Sequence, residues 1–329
     1  MAERDGASRE GYGDWRSLEL AIKDAAKKVA GQAGPGVGAA SVDAQIRQAR
    51  FDRFLSRVFA EGERSEWLLK GGMSMLARVP RSRTTKDVDL AALRASDLAE
   101  AERALAALAE ADLGDHLTFR LIRSTPTGLG ENQPGVATRR YVFACIDADH
   151  DTQVDTVVVD VVGPPPVGRP EVVEPANRLH LRRPLITFPY RLYPVADQIA
   201  DKVCATMDTQ YPGDKRSSRV KDLVDLVLIA HTQTADLNEL RAAIAAKRDL
   251  SNVEPFEHFD IPAEWTRTYP ATAKGVPAAE SFTAQTAADL VASFVDPALG
   301  KHPKRATWNS QALTWIPDKS NQTKAPGGT

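Results

Sequence analysis

Apolar residues recur at helical spacing early in the chain, where Leu18, Ile22, Ala25 and Val29 set one stripe along residues 15–30. A glycine-rich break follows over 31–38. Ser41 then reads as the N-cap of a helix reaching Phe59, with Ile46, Phe51, Phe54, Leu55 and Val58 as its apolar set. Residues 67–72 form a short apolar run ending in paired glycines, and 73–79 predict one or two helical turns. After the polar loop 80–86, residues 87–91 alternate polar and apolar, which is strand periodicity. Residues 98–113 are rich in Ala, Leu and Glu and predict a helix. Strands are predicted at 117–123 and 140–147, joined by a Gly/Pro-rich loop over 124–135. The strongest strand signal is 156–162, β-branched nearly throughout apart from Asp160 and ended by Gly163 and three prolines, and it reads as buried on both faces.

From about Pro194 the pattern turns helical, over 195–207, 219–230, 237–247 and 282–294. The coarse expectation is an α/β half followed by a helical half. Residues 1–60 would be N-terminal helices, 61–190 an α/β core, 191–315 a helical C-terminal domain and 316–329 a disordered tail.

Composition narrows the class. The chain has 329 residues, 43% hydrophobic and 26% charged, an ordinary globular balance long enough to bury a core. No apolar run approaches the roughly 20 residues of a membrane span, and the first residues carry no signal-peptide core. The expected location is the cytoplasm. The two cysteines, Cys145 and Cys204, sit far apart in apolar segments and read as small buried side chains, not as a disulfide or zinc framework. A net charge of -2 requires any nucleic-acid surface to be local.

The candidate chemistry is a carboxylate cluster. Asp87 and Asp89 alternate on one strand and point to the same face. Two carboxylates so placed repel unless a cation lies between them, and Mg²⁺ prefers carboxylate and phosphate oxygens. Asp160, amid five valines, is a carboxylate that burial would penalise by several kcal/mol if left unpaired. A third acid beside such a pair would complete a two-metal phosphoryl-transfer site. Gly71 and Gly72 would let backbone N–H groups approach a phosphate, with Ser74 adding a hydroxyl and Lys70 a charge. The pattern is not a P-loop. The six histidines form no metal-binding spacing and read as surface or packing residues.

Taken together, Leu69-Lys-Gly-Gly-Met-Ser74 and Arg83-Thr-Thr-Lys-Asp-Val-Asp89 resemble the AbiEii/AbiGii family of nucleotidyltransferase toxins, and within it the mycobacterial MenT-type tRNA-modifying toxins. Asp201-Lys202, followed by Arg219-Val-Lys-Asp-Leu-Val-Asp225, is similar to the family's downstream motif, and Asp160 falls where the family has its strand carboxylate. The resemblance spans roughly residues 65–230. The chain departs from it at Met73, where the family has Ser or Thr directly after the second glycine, so either Ser74 takes that role or backbone amides do.

The resemblance implies a polymerase-β-like core with a mixed sheet and a helical C-terminal domain. It implies nucleotide transfer from an NTP, a pyrimidine such as CTP, to the 3′ end of tRNA, blocking aminoacylation, and an antitoxin encoded alongside. Asp87, Asp89 and Asp160 would hold Mg²⁺, and Lys202 would contact the triphosphate from beside the packed stripe Val195, Ile199, Val203 and Met207. Asp225 would contribute to the site, with Arg219 and Asp222 in support. Thr85, next to Thr84, would be a phosphorylation position, where a phosphate adds about two negative charges.

An RNA acceptor requires a basic surface. Arg78, Arg81, Arg83 and Lys86, the pairs Arg139–Arg140 and Arg182–Arg183, and Lys215 with Arg216 are the candidates. Two other readings stand beside this one. The chain could modify a protein or a small molecule such as an antibiotic, or be a degenerate binding module. The intact acids oppose the binding module, and Lys221-Asp222-Leu223 favours RNA.

Overall fold

Asp14 starts the first helix by accepting from the Ser17 amide at 2.7 Å, and α1 (Trp15–Gln32) then packs on α2 (Val42–Val58). The computed structural model describes residues 11–32, 41–80, 82–94, 97–126, 138–162, 166–209, 217–300 and 305–318. Most of the break over 31–38, most of the loop over 124–135, Arg81, Lys215, Arg216 and residues 319–329 of the expected tail fall outside them. Along α1 the buried stripe is Trp15, Leu18, Ile22 and Ala26; Ala25 and Val29, expected on it, turn outward, with Val29 40% exposed. Ser41 caps α2 as its sequence predicts, accepting from the Ala44 amide at 3.2 Å.

The apolar run before the glycines is β1 (Trp67–Lys70), and α3 (Gly71–Arg78) leads from it to β2 (Val88–Ala92). Next come α4 (Leu98–Ala109), capped by Asp97, and the meander β3 (Leu117–Pro126), β4 (Thr138–Asp147) and β5 (Thr152–Val162). Short strands β6 (Glu171–Val173) and β7 (Tyr190–Leu192) complete a seven-stranded mixed sheet of order β3-β4-β5-β2-β1-β7-β6. Pairs β2/β5 and β1/β7 are parallel and the rest antiparallel.

Helices α1, α2 and α4 cover one face of this sheet, where Phe54 meets Phe119 and Phe143 at ring separations of 5.4 and 5.0 Å. Beneath them the guanidinium groups of Arg53 and Arg57 enclose the fully buried Asp115, with contacts of 2.6 and 2.7 Å. The other sheet face is different. Strand β5 is not buried on both sides: Val157, Val159 and Val161 are fully buried on the helix-covered face, whereas Val158, Asp160 and Val162 are half-buried on the opposite one. Helices do not cover that second face as they cover the first, which leaves room for a carboxylate.

The C-terminal half builds its own core from α5 (Val195–Met207), α6 (Val220–Thr232), α7 (Leu237–Ser251), α8 (Trp265–Ala273), α9 (Pro277–Glu280) and α10 (Ala284–Leu299). Helix α10 starts two residues later than its hydrophobic pattern suggests, because Thr283 and Thr286 form a capping box. Its apolar stripe gave no warning of a closing hairpin, β8 (Ala306–Asn309) and β9 (Thr314–Pro317), whose Trp308 and Trp315 pack on Phe294 at 4.5 and 5.8 Å. Trp308 also donates its indole N–H to the Ala230 carbonyl at 2.8 Å, tying the hairpin to α6. Both cysteines are buried and free. Among the described residues no helix is long and apolar enough to cross a membrane.

Candidate active site

Strand pairing lays a row of charges across the open sheet face. Lys70 on β1 is the register partner of Asp89 on β2, Asp89 is the partner of Asp160 on β5, and Asp160 is the partner of Arg140 on β4. Directly opposed residues share a face, so the order across the sheet is cation, acid, acid, cation. Asp87, expected on the strand, instead lies in the bend just before β2, yet it lines the same cleft as Asp89, and Thr85 donates its hydroxyl to Asp87 Oδ1 at 2.9 Å.

The paired glycines seat this row. Gly71 has a φ of +60° and its missing Cβ would lie 1.8 Å from Asp89 Oδ2, so glycine is required by both backbone and space. A Cβ on Gly72 would come within 2.9 Å of the Thr85 Cβ. Both glycines line the cleft, and the close approach they permit is to Asp89 and Thr85. Burial, then the charges of Asp87 and Asp160, push the Asp89 carboxyl up to about 6, against the opposing pull of Lys70 and Lys221.

The facing wall comes from α5 and α6. Lys202 Nζ contacts Asp225 Oδ2 at 2.6 Å and Asp222 Oδ1 at 3.1 Å. Arg83 grips Asp225 with a two-pronged pair at 2.8 and 2.7 Å, and Arg219 meets Asp222 at 2.5 Å. Burial alone would raise the Asp222 carboxyl, but Arg219 and Lys202 hold it well below the usual carboxylate range. Burial opposes the Lys202 charge, yet Asp225 and Asp222 outweigh it and raise its affinity for the proton. Both carboxylates are fully buried; Asp222 contributes to the cleft lining, and Asp225 reaches the cleft through Arg83 and Lys202, which it holds. Three residues of offset fall roughly 60° short of a full helical turn, so the two side chains leave α6 in different directions.

Lys70 also departs from a simple phosphate contact. Its ammonium lies 2.8 Å from Asp201 Oδ2 and 4.2 Å over the Tyr193 ring. Asp201 takes Lys247 on its other oxygen at 2.8 Å; burial would raise its carboxyl, but the two lysines bring it down to about 2. Ser74, expected as a hydroxyl donor to phosphate, is fully buried and does not line the cleft. Its hydroxyl donates to Gln198 Oε1 at 3.1 Å, and Gln198 in turn donates to the Gly71 carbonyl at 3.2 Å. Gln198 and Tyr193 line the cleft and carry no sequence signal beyond their place near α5. Lys221, one residue from Asp222, is exposed and reaches the cleft with no hydrogen bond or ion pair to a described residue.

The expected basic surface is mostly committed to structural ties. Arg78 donates to the Tyr193 carbonyl at 3.1 Å and lies 3.3 Å from Glu171. Arg139 reaches Ser124 at 3.0 Å and Arg183 the Gly11 carbonyl at 2.9 Å, while Arg83 and Arg140 hold cleft acids. Lys86 and Arg182 stand exposed.

Among the described residues no three His, Cys, Asp or Glu side chains gather tightly enough to hold a metal by themselves. Arg140 takes both Asp160 oxygens, at 2.8 and 2.7 Å. The Asp87–Asp89 pair nevertheless suits a hard divalent cation, which binds through one or two carboxylates plus substrate phosphates. Burial does most to push Asp89 up, and the repulsion from Asp87 and Asp160 that adds to it is what such an ion would relieve.

The sequence model of one protein family, described as "Nucleotidyl transferase AbiEii toxin, Type IV TA system", matches residues 53–301. No curated protein sequence matches the chain. Among solved structures, MenT4, a nucleotidyltransferase toxin from Mycobacterium tuberculosis, is similar at 14% identity and a TM-score of 0.51, covering 85% of this chain and 90% of its own. JHP933 from Helicobacter pylori is similar at 14% identity and a TM-score of 0.42, covering 78% and 93%.

Proposed function

This chain belongs to the AbiEii nucleotidyl transferase toxin family, and we propose that it transfers a nucleotide from an NTP to the 3′ end of tRNA with Mg²⁺ as cofactor. The observation that carries the reading is the in-register row Lys70–Asp89–Asp160–Arg140, open to a cleft whose other wall presents Lys202, Arg219 and Lys221. Paired acids flanked by cations suit a reaction in which positioning and charge stabilisation at phosphorus do most of the catalysis.

Asp87 and Asp89, joined by Asp160, would hold Mg²⁺, which neutralises the phosphates and lowers the proton affinity of the attacking hydroxyl. Lys221 is the first ammonium an incoming triphosphate meets. Lys202 and Arg219, steadied by Asp222, stabilise charge that develops on the phosphates. The backbone around Gly71, fixed through Gln198 and Ser74, keeps Asp89 in place. The cavity of about 140 Å³ is smaller than most small-molecule pockets, so it receives the triphosphate while the sugar and base lie toward its mouth. The resemblance to MenT-type toxins supports a pyrimidine donor such as CTP. The type IV family supports a partner antitoxin encoded alongside. A phosphate on Thr85 would break its bond to Asp87 and set negative charge against the triphosphate.

The test is incubation with each radiolabelled NTP in turn, Mg²⁺ and total tRNA. Label should appear at the tRNA 3′ end with one NTP, most strongly CTP, and pyrophosphate should be released. Label on protein or on a small molecule, or no label at all, would overturn the tRNA reading.

A further inference from the structure

Asp160 is already fully engaged. Its partner, Arg140, stands directly opposite it on the antiparallel strand β4, so strand register and not side-chain chance brings the two together. Their contacts, 2.8 Å from Nε to Oδ1 and 2.7 Å from Nη2 to Oδ2, form a two-pronged pair that uses both carboxylate oxygens. On the other side of Asp160, also in register, is Asp89 on the parallel strand β2. Asp160 therefore has one cation on its β4 side and a second carboxylate on its β2 side. A divalent ion held by Asp87 and Asp89 would approach from the β2 side and seek the same oxygens.

The two side chains differ in freedom. The Arg140 side chain is 38% exposed and the Asp160 side chain 17%. Arg140 can swing toward solvent without leaving a buried charge behind, whereas Asp160 stays in the sheet. Its neighbour Arg139 has no such freedom, being tied to Ser124 and Glu102. Thr125 on the edge strand β3 is the residue opposite Arg140, and it offers no charge to hold the guanidinium.

We propose that Arg140 is a positioning residue that holds Asp160 and yields it when a divalent ion binds between Asp89 and Asp160. This rests on the reading of Asp87, Asp89 and Asp160 as the metal centre. Until an ion binds, Arg140 supplies positive charge to the Asp89–Asp160 pair, so that pair is not left uncompensated. Once Asp160 turns to the ion, the guanidinium is freed beside Asp160, a residue of the cleft lining. Arg140 thus competes with metal at one step and becomes available to the substrate at the next.

The experiment is a titration of the full chain with Mn²⁺ in the absence of nucleotide, read by calorimetry and by the electron spin resonance signal of free Mn²⁺. Wild type, Arg140→Ala, Arg140→Gln, Asp160→Asn, Asp89→Asn and the double variant Arg140→Ala/Asp160→Asn are compared. Removing the competitor should tighten Mn²⁺ binding in both Arg140 variants by about fivefold, equivalent to the ~1 kcal/mol that a partly exposed ion pair contributes. The gain should vanish in the Asp160→Asn background, because the competition runs through that carboxylate. Unchanged or weaker Mn²⁺ binding in Arg140→Ala and Arg140→Gln, with Asp89→Asn abolishing it, would overturn the hand-over while leaving the metal centre standing. Equal binding by wild type and Asp89→Asn would overturn the metal centre itself, and the hand-over with it. Circular dichroism and melting curves identify any variant that fails to fold, and the Gln variant keeps the side-chain bulk if Ala does not.

Discussion

Gly71 and Asp89 occupy one volume between them: Asp89 Oδ2 lies 1.8 Å from where a Cβ on residue 71 would stand, and Gly71 holds a φ of +60°. Gly71→Ala must therefore distort either the start of α3 or the Asp89 carboxylate. The left-handed backbone alone costs about 1–2 kcal/mol, and displacement of Asp89 adds to it. The expected outcome is a melting temperature several degrees lower, together with nucleotide transfer reduced at least tenfold. Normal transfer by a folded Gly71→Ala protein would show that Asp89 does not need this seat.

With metal removed by a chelator, Asp89 should make the protein less stable as pH rises. Its carboxyl stands at about 6 when folded, against roughly 3.9 in an unfolded chain. Between those values the folded state binds more protons than the unfolded one, so stability falls as pH rises and the penalty is complete above about 6. Asp89→Asn should therefore be more stable than wild type at pH 7.5 in a chelator, by on the order of 1–2 kcal/mol after allowing for contact with solvent in the cleft, and by much less near pH 4. Urea unfolding at both pH values checks this. A constant difference would sink it. Adding Mg²⁺ should raise the wild-type melting temperature and leave the variant unmoved.

Asp225 anchors Arg83 and Lys202, both of which line the cleft. Asp225→Ala leaves Arg83 and Lys202 under-compensated, and removing one member of a buried ion group costs about 3–5 kcal/mol. Thermal melting should show a loss of several degrees. Asp222→Asn should act more on the KM for NTP, because Asp222 lines the cleft and holds Arg219 and Lys202 there. Steady-state kinetics showing equal KM effects for the two variants would contradict this division.

Ser74 lies one layer below the chemistry. Ser74→Ala removes the donor to Gln198, which should cost about 1–2 kcal/mol of stability while leaving the KM for NTP within about twofold. A tenfold rise in KM without destabilisation would restore Ser74 as a direct phosphate contact.

Asp115 governs acid stability far from the cleft. Burial would raise its carboxyl, but Arg57 and Arg53 lower it below the ordinary value. A carboxylate depressed in the folded state contributes stability above its unfolded value, near pH 4, and loses that contribution as pH falls through its folded value. Asp115→Asn should destabilise by about 3–5 kcal/mol at pH 7 and show a flatter loss of stability between pH 4 and 2. Denaturant titrations across that range provide the check.

That Asp87, Asp89 and Asp160 would gather at one candidate site was legible from their spacing and from the valine-rich strand around Asp160, although Asp87 lies in the bend before β2 and not on it. The lysine and aspartates of α5 and α6 were legible through motif spacing. What could not be read was which partner each charge would take. Arg140 looks like surface charge until β4 pairs with β5 in register. Asp222 and Asp225 share a helix, and only its rotation against α5 decides which one meets the cavity. Burial of β5 was misjudged because a run of valines reads the same whether one face or both are covered. The Trp308–Trp315 hairpin escaped notice because its stability comes from Phe294 and the Ala230 carbonyl, remote in sequence.

The pairing of charges around the cleft has a consequence for selectivity. Lys70 with Asp201, Lys202 and Arg219 with Asp222, Arg83 with Asp225 and Arg140 with Asp160 are already satisfied, and Lys221 alone stands without such a partner among the described cleft residues. A free phosphate or sulfate ion offers too few oxygens over too short a span to replace these pairs together, whereas a metal-bound triphosphate can exchange partners with several of them at once. Crowded cellular anions would then pass the cleft without occupying it, and the empty enzyme would stay open to the one anion it can use.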